Sequence, residues 1–148
     1  MNKRILWIDD DYYSINGLFR PLEKDGFNLD VAISALDGYN KLKNWKHYDL
    51  IVIDLIIPIS QEEDAPDIVK SWDNQDKYAY VGIGIIEWLL LDIQAKCPVL
   101  ILSVVPDPIT TFHLESLGIA GSIRKSGLLP TDLKNQIYRI LHQDDHSS

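Results

Sequence analysis

Three apolar runs in this chain, and one short mixed run, are each followed at once by a side chain that can do chemistry. Ile5-Leu6-Trp7-Ile8 leads into Asp9-Asp10-Asp11, Leu50–Ile53 into Asp54, Leu100-Ile101-Leu102 into Ser103, and Ile123-Arg124 into Lys125. Open parallel sheets bind ligands at the carboxyl ends of their strands, so chemistry is expected where such runs stop. If the strands take the order 2-1-3-4-5, strands one and three are neighbours, and Asp9, Asp10 and Asp54 share one crevice. Crowded carboxylates repel, a cost relieved by a raised pKa or by a bound cation. Oxygen ligands select a hard ion. Magnesium keeps several waters and is held by one or two carboxylates together with phosphate oxygens, which suits a crevice that a phosphoryl group must enter. A cation there would neutralise charge while a carboxylate oxygen attacks phosphorus in line. Lys125 would pair with a phosphoryl oxygen as a point charge, and the Ser103 hydroxyl would hydrogen-bond another.

The elements that must position these groups are legible as alternating patterns. Strand-length apolar runs predict strands at Arg4–Ile8, Asn28–Ile33, Leu50–Leu55, Val99–Val104 and Gly121–Arg124. Between them, three-to-four spacing, as in Ile15, Leu18, Phe19 and Leu22, predicts helices at Tyr12–Lys24, Ala35–Trp45, Ile83–Lys96, Ile109–Leu117 and Thr131–His142. Asp9 and Ser34 are expected to start the first two helices and Thr131 to cap the last, while Gly26 and Gly118 stand where helices should stop. The alternation is that of an α/β fold: a doubly wound, five-stranded parallel sheet with helices on both faces, flavodoxin-like in topology. Trp7 and Trp88 are expected in its core. The exception is residues 59–80, which are polar and acidic and include Glu62-Glu63-Asp64 and Trp72-Asp73. They are expected to form an inserted loop, too long for an ordinary connection, that is either a solvated surface or a segment that covers the site or contacts a partner.

Composition narrows the classes. The chain has 148 residues, 46% of them hydrophobic and 24% charged, enough for one domain with its own core. That domain is expected over 1–142, followed by a polar C-terminal tail at 143–148. A formal net charge of −8 argues against direct nucleic-acid binding, which needs clustered Lys and Arg. The single cysteine, Cys97, permits no internal disulfide and fits a reducing cytoplasm. The N-terminal apolar run is too short for a signal peptide, and no stretch approaches the roughly 20 apolar residues of a membrane span. A soluble cytoplasmic protein is expected, with a cation or a protein as its partner. Four scattered histidines offer no metal set.

Taken in order, Ile5-Leu6-Trp7-Ile8-Asp9-Asp10-Asp11, Asp54-Leu55-Ile56-Ile57-Pro58, Leu100-Ile101-Leu102-Ser103 and Ile123-Arg124-Lys125 resemble the signature of response regulator receiver domains, the CheY-like superfamily, over nearly the whole chain. The resemblance implies that Asp54 is the phosphoacceptor and that Asp9 and Asp10 are the acidic pair, with Asp10 the more direct ligand of Mg2+. It further implies that the Ile56 carbonyl completes the metal site, and that Ser103 and Lys125 take the hydroxyl and lysine roles. The implied donor is a phosphohistidine on a histidine kinase or a histidine-containing phosphotransfer protein, in two-component phosphorelay signalling. An unidentified protein target would dock on the first, fourth and fifth predicted helices. A homodimer through the fourth and fifth is also compatible. From Asp54 to Ser103 the chain is longer than in ordinary receivers by roughly 20 residues, about the length of the irregular segment.

Three positions depart from that pattern: Ser122 stands where an aromatic residue is usual, Val104 where a small one is, and Ser126 where proline is. They leave open an alternative, a receiver-like protein-interaction domain not regulated by phosphorylation. Enzymes on the same fold fit less well. An aspartate-nucleophile phosphatase would want a second aspartate where Ile56 stands, and no Gly-rich phosphate loop or Ser-His-Asp order occurs. The chain is therefore read as a self-catalysing phosphoacceptor and not as a dedicated enzyme.

Overall fold

The structure, a computed structural model, describes residues 3–59, 65–103 and 107–146. Val104 and the run Glu62-Glu63-Asp64 lie outside the described residues, as does the side chain of Ile15. Five strands form one sheet in the order β2-β1-β3-β4-β5: β1 Arg4–Ile8, β2 Asn28–Ala32, β3 Leu50–Ile53, β4 Val99–Ser103 and β5 Gly121–Arg124. Every pairing is parallel, with Ile5 opposite Leu50 and Ile53 opposite Ile101. Among the described residues six α-helices accompany them: α1 Tyr12–Lys24, α2 Ala35–Leu42, α3 Asp67–Ser71, α4 Val81–Glu87, α5 Pro108–Ser116 and α6 Pro130–His146. This is the expected doubly wound α/β architecture.

The three central strands, β1, β3 and β4, read as apolar runs because both faces of the sheet are covered there, whereas the edge strands β2 and β5 carry polar residues and are only partly buried. Side chains alternate between faces with period two. Leu6, Ile8, Ile51, Ile53, Val99 and Ile101 pack under α2, α3, α4 and α5. Ile5, Trp7, Leu50, Val52, Leu100 and Leu102 pack under α1 and α6, where Trp7 meets the edge of Phe19 with ring centroids 4.2 Å apart.

The element ends show which local signals decide. Ser34 caps α2 by accepting a hydrogen bond from the Asp37 N–H at 3.1 Å, and Asp107 caps α5 through Thr110 at 2.7 Å. Gly26 and Gly118 take positive φ, 96° and 97°, just past α1 and α5. Asp11, not Asp9, holds the N-cap position of α1, because Asp9 still belongs to the end of the sheet. Pro130 opens α6 ahead of Thr131, since its fixed φ and missing N–H suit a first helical residue. The helix then runs to His146, with no Gly or Pro in 143–146 to stop it, so the expected boundary between domain and tail at 142 is not a break in structure. The helix expected to end at Lys96 is shorter. It widens into a π-turn at Trp88–Asp92, and Gln94 at φ 58° breaks the helical path.

The largest difference concerns residues 59–80. Instead of an irregular loop, the segment contains α3, and Ala65, Val69, Trp72 and Tyr78 are buried in the core beneath it. Its outward residues, Asp67, Lys70, Asp73 and Asp76, are polar, which hid a helical period only five residues long.

Candidate phosphoryl-transfer site

The sheet ladder continues one residue beyond three of the strands, and each of those residues is one of the expected site residues. The Asp9 N–H donates to the Ala32 carbonyl at 2.9 Å, Asp54 to Ile8 at 2.9 Å, and Lys125 to Ser103 at 2.8 Å. Three polar side chains are thus held by backbone hydrogen bonds at the carboxyl ends of β1, β3 and β5, where strand-end loops would otherwise leave them mobile.

They meet on one ammonium. Lys125 Nζ donates to Asp9 Oδ2 at 2.7 Å and to Asp54 Oδ2 at 3.1 Å. The remaining oxygens are also engaged, Asp9 Oδ1 by the Asp11 N–H at 2.9 Å and Asp54 Oδ1 by the Ile56 N–H at 3.1 Å. Asp9 is wholly buried and Asp54 is 5% exposed. Asp10 stands on the exposed rim, yet carboxylate oxygens of Asp9, Asp10 and Asp54 lie within 4.8 Å of one another. Three carboxylates against one ammonium leave two negative charges.

Burial pushes the Asp54 carboxyl above its ordinary pKa of 3.8, and the nearby Asp9 charge adds to this, against the opposing pull of the Ile56 N–H and Lys125. Burial pulls Lys125 down, but its hydrogen bond to Asp9 and the charges of both aspartates outweigh it, and its pKa is raised. The donor set is all oxygen, clustered and in excess of its internal cation, and so fits a hard divalent ion such as Mg2+.

Of the other expected site residues, Ser103 is buried at the end of β4, where its carbonyl anchors Lys125. Ile56 follows the acidic residue on an exposed turn, its N–H on the carboxylate of Asp54. Ser122 is exposed on β5 opposite Ile101, and Ser126 follows Lys125 on the surface. Sequence reasoning missed Gly82. A methyl there would lie 2.6 Å from the Leu55 Cα and 2.8 Å from the Asp54 carbonyl oxygen, so only glycine lets α4 rest on the backbone of Asp54. The visible signal was the pair Gly82-Ile83-Gly84 at the start of a helical pattern.

No family model matches the chain. Among curated proteins, transcription factor SKN7 of Saccharomyces cerevisiae is 31% identical over 71 residues, which span 48% of this chain and 11% of that protein. Solved structures match over nearly the full length. A CheY-like response regulator receiver domain protein from Methanospirillum hungatei superposes with TM-score 0.75 at 18% identity, covering 100% of both chains. A receiver domain protein from Clostridium thermocellum gives 0.72 at 19% identity over 99% of each chain. The non-phosphorylated HemR receiver domain of Leptospira biflexa gives 0.71 at 21% identity, over 95% of this chain and 94% of that one. The chain has the fold of CheY-like response regulator receiver domains. Among the described residues no helix is long and apolar enough to cross a membrane.

Proposed function

We propose that this chain is a phosphoacceptor switch of two-component signalling, in which Asp54 takes a phosphoryl group from a phosphohistidine on a histidine kinase or a histidine-containing phosphotransfer protein. The observation that carries the reading is a buried carboxylate sharing one ammonium with a second buried carboxylate at the carboxyl edge of a receiver-fold sheet. An oxygen of Asp54 attacks phosphorus as the N–P bond of the donor breaks; the imidazole leaves and Asp54 becomes an acyl phosphate. Asp9, Asp10, Asp54 and the Ile56 carbonyl would hold a magnesium ion, which would supply charge neutralisation at the phosphoryl oxygens. Lys125 releases the Asp54 oxygen and pairs with a phosphoryl oxygen while keeping its bond to Asp9, which holds it within reach. Ser103 donates its hydroxyl to another phosphoryl oxygen. The chain is consumed as acceptor in this step and acts as a signalling element of the cytoplasm, not as a dedicated enzyme.

A second reading, a receiver-like interaction domain that takes no phosphate, draws on exposed Ser122, which offers no aromatic group to follow the site. Incubation with Mg2+ and acetyl phosphate, read by intact mass and peptide mapping, separates the two. One phosphoryl group on Asp54, absent from Asp54→Asn, is expected. A folded chain that takes up no phosphate would favour the second reading, and label on another residue would refute the assignment of Asp54.

A further inference from the structure

We propose that the inserted segment from Ala65 to Tyr80 and the Asp54 carboxylate are coupled through α4, so that the packing of Trp72 sets how readily Asp54 is loaded and loading of Asp54 shifts Trp72. The inference rests on the phosphoacceptor reading of Asp54 and names how that site is regulated.

The coupling follows from two contacts with no slack. Residues 82 and 84 lie about 200° apart around a helix, so they face nearly opposite ways. On one side Gly82 sits against the backbone of Asp54 and Leu55, and its N–H donates to the Leu55 carbonyl at 2.9 Å. On the other, Gly84 lies so close to the Trp72 indole that a methyl there would stand 2.8 Å from Cγ. The first turn of α4 is therefore wedged between the phosphoacceptor's own backbone and the anchor of the insertion. Trp72 is 1% exposed, and its ring centroid lies 5.7 Å from Trp88 and 6.1 Å from Tyr39.

A second tie closes the circuit. The Pro58 carbonyl accepts the Ala35 N–H at 3.0 Å, joining the turn after Asp54 to the start of α2, the helix that carries Tyr39. A dianion added to Asp54 must disturb the Ile56 N–H and Lys125, both of which now hold its carboxylate. Close-packed interiors pass such a displacement on rather than absorb it. Coupling of this kind is reciprocal: whatever loading does to Trp72, the packing of Trp72 does to loading.

The test uses the full chain with Mg2+ and acetyl phosphate, scoring phosphate uptake by mass in the same samples in which tryptophan emission is recorded. Wild type is expected to change emission on loading, Trp45→Phe to keep the change, and Trp72→Phe to lose it. Trp72→Phe should also alter the affinity for Mg2+ alone by at least about fivefold, the lower end of ordinary coupling. Full uptake with no emission change, or a change that survives Trp72→Phe, overturns the coupling and leaves Asp54 standing. No uptake by wild type overturns the phosphoacceptor reading, and the coupling with it. Should Trp72→Phe not fold, hydrogen exchange of wild type carries the same test. Amides of α3 and α4 must change protection on loading, and unchanged amides there refute the proposal.

Discussion

Replacing Lys125 by methionine keeps the length and apolar stem of the side chain and removes its charge. The ammonium is the one cation that the described residues place on Asp9 and Asp54, at 2.7 and 3.1 Å. Its side chain is 13% exposed, against none for Asp9 and 6% for Asp54. Removing one partner of a buried ion pair costs about 3–5 kcal/mol, because the other charge stays buried without compensation. The residual exposure of Lys125 places the expected loss near the lower figure. A domain of this size moves by about 2–4 °C per kcal/mol, so Lys125→Met should lower Tm by roughly 6–12 °C at pH 7 in low salt without divalent ions. Thermal unfolding followed by circular dichroism measures it. The loss has a signature in pH. The Lys125 pKa is raised in the folded chain, so its contribution is fully present below the ordinary value of 10.5 and is lost as the pH climbs through the folded value. The gap between the two proteins should hold at neutral pH and close in strong alkali. It should also narrow in acid, where Asp54 takes a proton, and on adding Mg2+, which supplies the missing charge. A variant melting within about 2 °C of wild type at pH 7 would show that Lys125 does not hold the two carboxylates, and the site as described would be wrong.

Asp54→Asn is expected to act in the opposite sense. Burial raises the Asp54 pKa, so the stability this group contributes is greatest below its ordinary value of 3.8 and falls as the pH rises through the folded value. The variant should melt above wild type at pH 7 and converge with it below about pH 3.8; a lower Tm at pH 7 would contradict the burial argument. Gly17 lies inside α1 with no neighbour within 4 Å of an added methyl. Gly17→Ala should therefore stabilise the domain by about 0.4–1 kcal/mol, chiefly by restricting the unfolded chain, and urea unfolding would measure it.

The sheet and the residues at its carboxyl edge were legible because they obey local rules. The central strands β1, β3 and β4 are apolar runs that end at a polar residue, and Asp9, Asp54 and Lys125 occupy the position just after the last residue of β1, β3 and β5, where the ladder still fixes the backbone. Their meeting needed only the strand order 2-1-3-4-5, which the resemblance to receiver domains implies and the sheet has. What local rules could not show was how α4 and the insertion pack. Trp72 sits among Asp73, Asn74, Gln75 and Asp76, and a hydrophobic period cannot be read through such neighbours. Its burial depends on Gly84, twelve residues away, having no side chain. Gly82 likewise looks like a weak helix start until the backbone of Asp54 is found against it. Both glycines are informative only once tertiary contacts are known.

That packing changes what a deletion would report. Removing residues 61–77 would be a clean test of a solvated cover or a partner-binding loop, but it also excises Val69 and Trp72, which are 0% and 1% exposed. Truncating one buried tryptophan typically costs about 3–5 kcal/mol, and domain stabilities are themselves only about 5–15 kcal/mol. Losing the whole segment would further uncover Tyr39 and Trp88, the rings against which Trp72 packs. The deleted chain is therefore expected to show a broad, non-cooperative thermal transition and to bind a hydrophobic dye. A sharp transition within a few degrees of wild type would mean that the insertion is dispensable to the core. Loss of phosphate uptake in a chain that has lost its packing would reveal nothing about a cover, so substitutions at Trp72 and Gly84 are the informative probes of what the insertion does to Asp54.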